Sequence, residues 1–132
     1  MTNSILIGKY IYNTLTQNDS VSGYVDSNVF PIVAEQGTEY PFIVYRRNNI
    51  QASQDTKDGV TEDAVDFEVI VVSDRYDESI AIANEVRRAL ERKKMVFEDM
   101  VIYNTTMQGI SEDYTENAYV QMLNFSCTVE NN

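Results

Sequence analysis

Carboxylates are the commonest charged groups this chain can offer: 21 Asp and Glu, against ten Lys and Arg and no histidine. Without histidine there is no imidazole base, so the Ser-His-Asp and Cys-His arrangements are both absent. Imidazole metal ligands go with it, and a single cysteine, Cys127, cannot build the usual zinc site. Neither G-x-x-x-x-G-K-S/T nor G-x-G-x-x-G occurs, so no phosphate cradle is announced. The segment "DTKDG" (55–59) has a trace of a calcium loop. Setting Gly59 at that loop's glycine puts Gln54 at the first ligand position and Val65 at the last, and neither can serve. Two carboxylates could do acid/base work of the glycosidase type only inside a concave site, which a sequence does not display. These observations predict a protein that is not an enzyme and uses no metal or cofactor.

The acidic balance has a second consequence. A nucleic-acid reader needs Lys and Arg to displace counterions from phosphates, and this chain carries a formal charge of −11. The same charge also keeps a protein soluble. Cys127 excludes an internal disulfide and fits a reducing compartment. Its place on an apolar strand face makes it a small buried hydrophobe rather than a reactive thiol. No apolar run approaches the roughly 20 residues of a membrane helix. The start, "MTNSILIGKY", lacks a basic region and a cleavage pattern, so no signal peptide is expected. The 132 residues suit one domain, 1–132, and that size can bury a sizeable core.

The elements follow from periodicity. Ile7, Tyr10, Ile11 and Leu15 form a helical stripe over 4–16, capped by Asn3 or Ser4 and stopped by "QNDS". A short strand is expected at 28–34 and a longer one at 41–50, where Pro41 lacks the N–H of a mid-ladder position. Residues 51–64 are polar and predict either a long hairpin loop or polar extensions of the flanking strands. In "VDFEVIVV" (65–72) the first half alternates and the second half is apolar on both sides. The strongest helix spans about 75–94. Ser73 or Asp74 can cap it, acids lie in its first turn and bases in its last, and Ile82, Ala83, Val86, Ala89 and Leu90 form its buried stripe. Tyr76 and Ile80 lie about 100° off that stripe. Strands at 100–110 and 118–129 flank a polar "SEDYTEN" loop. The order is α-β-β-β-α-β-β, an α+β fold with a mostly antiparallel (mixed) sheet and two helices.

Such a sheet needs cover. Strands 42–45 and 69–72 are apolar on both faces, and only two helices are available. If both pack on one face, the other stays partly apolar, and an exposed apolar face marks a partner surface. The alternative is that the helices split between faces, or that residues 21–40 fold over.

At this point the chain resembles a known family. An N-terminal helix leads to "YPFIVYRR" and a polar loop with "DG". "DFEVIVVSDR" then runs directly into "YDESIAIANEVRRALE", and a hairpin closes the chain. This order is similar to the tail-completion, or tail-terminator, proteins of long-tailed bacteriophages, over about residues 4–129. The resemblance implies a virion protein that assembles as a homo-oligomeric ring, usually a hexamer, on the head-proximal end of the tail tube. The ring ends tube polymerisation and joins the tail to the head–tail connector protein. Its partners are itself, the tail tube protein and the connector. DNA passes through without specific binding, and no membrane is involved. The location implied is the tail or neck of the virion, with assembly in the host cytoplasm. Alternatives are a neck or head–tail joining protein, or a small cellular α+β binding module.

Charge and exposure nominate the contact residues. Arg46 and Arg47 end the "FIVY" strand on opposite faces, so at most one can face a given partner. Asp58, Glu62 and Asp63 belong to an acidic stretch, 55–68, with six acids and one lysine, and residues 87–94 carry five bases and one acid. Heterologous ring contacts bring unlike patches together, which an acidic loop and a basic helix end would suit. Tyr76 and Ile80 complete the set as exposed apolar positions on the long helix.

Overall fold

The structure is a computed structural model that describes residues 3–52 and 61–131. Asn3 caps a short 3-10 turn, Ser4–Leu6, by accepting the Ile5 N–H at 2.9 Å. The turn leads into α1 (Ile7–Gln17), whose buried residues are the four that the stripe predicts. "QNDS" does stop α1, but it also starts a helix that the sequence reading missed. The Asn18 side chain accepts the Val21 N–H at 3.0 Å and caps α2 (Asp19–Val25). A residue type that interrupts one helix is also the type that begins the next.

The strands are β1 (Val29–Pro31), β2 (Phe42–Ala52), β3 (Thr61–Ser73), β4 (Met95–Phe97), β5 (Met100–Thr115) and β6 (Ala118–Asn131), with α3 (Tyr76–Leu90) between β3 and β4. They form one mixed sheet in the order β1-β2-β3-β6-β5-β4. Among the described strands, only β1 and β2 run parallel. The α+β class and mostly antiparallel sheet hold. The element order is corrected to α-α-β-β-β-α-β-β-β, because α2 and β4 are added. The strand expected at 28–34 shrinks to three residues, since Pro31 has no N–H to donate and Ile32 turns to a φ of 68°.

Polarity misled the loop boundaries. β5 continues through "SEDYT", and its turn is only Glu116-Asn117, with φ of 52° and 64°. Two consecutive positive φ values define the tight turn whose twist matches a hairpin. Likewise β2 runs to Ala52 and β3 starts at Thr61, which favours the strand-extension reading of 51–64. Asp58 lies outside the described residues.

All three helices bury their stripes in one cluster with alternate residues of the sheet, among them Ile43, Tyr45, Val65, Phe67, Val69, Leu123, Phe125 and Val129. Phe67 and Phe125, opposite each other on β3 and β6, stack at 5.2 Å. Cys127 lies in the same cluster, and burial, helped by the charge of Asp66, pushes its thiol up to about 12. It is the buried hydrophobe the sequence predicts.

Two carboxylates anchor the ends of α3. At its start Ser73 Oγ accepts the Arg75 N–H at 3.1 Å and donates to Glu78 at 2.8 Å, and Arg75 donates to the other Glu78 oxygen at 2.8 Å. At its end Glu91 accepts the Met107 N–H at 2.9 Å and the Arg87 Nε–H at 3.0 Å. The helix therefore stops at Leu90 rather than near 94, and Arg92, with φ 61°, leads Lys93 and Lys94 away from it. The Arg75 bond holds Glu78 below the ordinary 4.5, and the Met107 N–H does the same for Glu91. A depressed folded pKa adds stability above the unfolded value, and that stability is lost as pH falls through the folded one. Circular dichroism in an acid titration should show helix signal lost below pH 4.5, with part of that loss absent in Glu78→Gln and Glu91→Gln.

Candidate functional site

With every helix on one side, the other side of the sheet carries an apolar patch that no described helix covers. Its rows follow the register. Phe30 lies beside Val44, Val44 beside Ile70, and Ile70 beside Met122. The next row is Phe42, Val72 and Val120. Val44 and Val120 are buried by these neighbours, while Phe30, Phe42, Ile70, Val72 and Met122 are half-exposed. Tyr40 stacks on Phe42 at 5.8 Å and extends the patch at its edge. Seven apolar side chains from four strands thus form one surface, the arrangement expected of a face built for a partner. The edge strands β1 and β4 are three residues each, a common way to discourage strand-to-strand growth.

The predicted contact residues do not converge on this patch. Arg46 borders it and pairs across the ladder with Glu68 at 3.1 Å, an exposed bridge worth about 0–1 kcal/mol. Arg47, pointing to the opposite face, donates to the Ile5 carbonyl at 2.7 Å and ties the N-terminal turn to β2. Glu62 stands on the same face as the patch and accepts the Tyr103 hydroxyl at 2.8 Å, a bond that raises the pKa of the tyrosine. Asp63 is not a loop residue. It is buried in β3 on the helix side, where it accepts from Ser4 Oγ and from Asn131 Nδ2 at 2.7 Å. It holds the chain's two ends together, a role its polar neighbours in sequence do not announce.

Tyr76 and Ile80 are both exposed, and they mark a second, smaller surface. Tyr76 donates to Glu112 at 2.9 Å, which raises its pKa, and it meets the edge of Tyr119 at 5.6 Å. Tyr114 packs on Tyr119 from the hairpin end. One turn along α3, Ile80 opens a cavity of about 180 Å³ that it shares with Ala83, Met107, Ile110 and Leu123. The helical off-stripe position found this surface. The register rows of the larger patch were visible only in part, because Phe30 and Met122 join it through strand pairing.

The described residues contain no group of three or more His, Cys, Asp or Glu able to hold a metal ion, and no helix among them is long and apolar enough to cross a membrane. What the described residues display is surface available for contact.

Comparison with curated protein sequences finds no match. Among solved structures, a chain from the virion of a native gene transfer agent particle matches with a TM-score of 0.74 at 16% identity, over 91% of each chain. A second solved chain, with no functional description, matches with a TM-score of 0.68 at 12% identity, over 98% of this chain and 96% of its own. At such identities these likenesses establish the fold. The family "Tail completion protein gp17" matches residues 9–130, nearly the whole chain. The chain therefore belongs to the phage tail completion protein family.

Proposed function

We propose that the protein forms a ring, a hexamer in our reading, that caps the head-proximal end of a tail tube. The ring stops tube growth and joins the tail to the head–tail connector. The observation that carries this reading is the helix-free apolar face centred on Val44, Ile70 and Met122, in a chain of this family. A neighbouring subunit is its natural cover, and capping then needs shape and contact with no bond made or broken. The virion setting of the gene transfer agent chain supports a place in the tail or neck. The charge of −11 supports a lumen that repels phosphates and lets DNA pass without holding it.

The test is a double variant, Ile70→Glu with Met122→Glu. Both side chains are half-exposed, so the isolated subunit should keep its fold. Burying each apolar group is worth about 1.5–3 kcal/mol, so association should weaken at least tenfold per contact. Light scattering at tens of micromolar and electron microscopy with purified tail tubes should show rings for the natural chain and none for the variant. In phage carrying the variant, tails should lose length control. A natural chain that stays monomeric and forms no ring even on tubes overturns the proposal. Normal tail lengths with unjoined heads would move the function to joining alone.

A further inference from the structure

The basic stretch after α3 builds a concave site apart from the apolar face. Arg92, Lys93 and Lys94 line one side of a cavity of about 300 Å³, and Tyr103, Thr105 and Thr106 of β5 line the other. The Arg92 N–H donates to the Thr105 carbonyl at 2.7 Å and fixes the two walls. None of the three cations makes an ion pair among the described residues. Thr105 is fully buried, yet its hydroxyl finds no partner among the described residues. Arg92, whose charge also acts on Glu91, and the exposed Lys93 and Lys94 suit an anion held by charge-assisted hydrogen bonds. Complementation of the helix dipole does not account for these cations, because α3 ends at Leu90.

We propose that this cavity takes a carboxylate from a second copy of the chain, supplied by the tip of the β5–β6 hairpin. The inference rests on the proposed self-assembly. The tip carries Glu112, Asp113 and Glu116, all exposed. Glu112 already bonds Tyr76, and Asp113 accepts the Tyr114 N–H, whereas Glu116 has no bond or ion pair among the described residues. Tip and cavity lie toward opposite ends of β5. Thr106 to Thr115 spans about 30 Å of strand at roughly 3.3 Å per residue, so a chain cannot fill its own cavity with its own tip. Two unlike patches at opposite ends make a heterologous, head-to-tail contact, the type from which rings close. Duplex DNA is the weaker candidate. Three cations release few counterions, and a chain at −11 repels a polyanion at range.

The experiment is a charge exchange in the full chain. Lys93→Glu with Lys94→Glu should weaken self-association about tenfold or more, as should Glu116→Lys. Combining all three should restore it to within about threefold, while unchanged circular dichroism and melting confirm that each variant folds. Reversed variants that assemble like the natural chain would overturn the inference and leave the ring proposal standing. A natural chain that never self-associates, with or without tail tubes, overturns both. Failure of the combined variant to regain association rejects the hairpin tip as partner. A duplex oligonucleotide retained by the natural chain and released by Lys93→Glu/Lys94→Glu, with self-association unchanged, would assign the cavity to phosphate.

Discussion

Replacing Phe67 with alanine should cost the fold about 3–5 kcal/mol, the range for a large aromatic removed from a well-packed core. Phe67 is fully buried, and its ring lies nearly parallel to that of Phe125, with 15° between planes. The two belong to β3 and β6, the central strands, which pair without a break from Thr61–Asn131 to Ser73–Tyr119. An unbroken ladder cannot move inward to fill the space, so the cavity term is retained in full. Thermal unfolding should show Tm lowered by more than about 10 °C, and urea unfolding should show the midpoint shifted with little change in slope. Phe67→Leu keeps most of the volume and should cost well under half as much. A loss below about 1 kcal/mol for the alanine variant would mean that this stack is not the centre of the core.

Asp63→Ala should cost about 2–3 kcal/mol by a different route, the loss of hydrogen bonds to a buried carboxylate. Asn131 donates to Asp63 and also, at 3.0 Å, to Thr61, while its carbonyl oxygen accepts the Ser4 N–H at 3.0 Å. Ser4 Oγ closes the loop of bonds on Asp63. Without the carboxylate, a buried hydroxyl and an amide lose their acceptor together. Hydrogen exchange should accelerate at residues 3–7 and 129–131 well before the centre of β3 responds. Asp63→Asn, which keeps an acceptor oxygen, should recover part of the loss. Uniform acceleration across the whole sheet would contradict this local account. A charge-reversal test of the acidic segment is therefore cleaner at Glu62 than at Asp63, whose lysine variant would bury a cation among donors.

The sequence made the core legible because burial obeys period. The α1 and α3 stripes and the alternation of β3 and β6 name most of the buried cluster. The doubly apolar halves of β2 and β3 showed that both faces of the sheet need cover, but left open whether the helices share one face or split between the two. What failed were boundaries set by polarity. Ser111–Thr115 are polar because they are exposed, which looks the same in a strand as in a loop, and Asp63 is polar though buried because it bonds Ser4 and Asn131. Asn18 both ends α1 and caps α2, and one side chain in a polar run does not disclose which helix it serves. The cavity beside Thr105 was beyond reach, because it needs two segments, 92–94 and 103–106, brought together by the left-handed turn at Arg92.

The ladder between β3 and β6 also sets the order in which this subunit can come into being. Its outermost pair joins residues 70 apart, and each of its strands is a neighbour on which the next depends. Loop closure over such a distance must precede any reward from pairing, so folding is slowed relative to a helical protein of the same length. During that interval the residues of the helix-free face lie open beside an unpaired strand edge, the condition under which chains aggregate. The face that suits a subunit for assembly is thus a hazard while it is being made. Crowding too many unfinished copies together would favour tangles over folded chains.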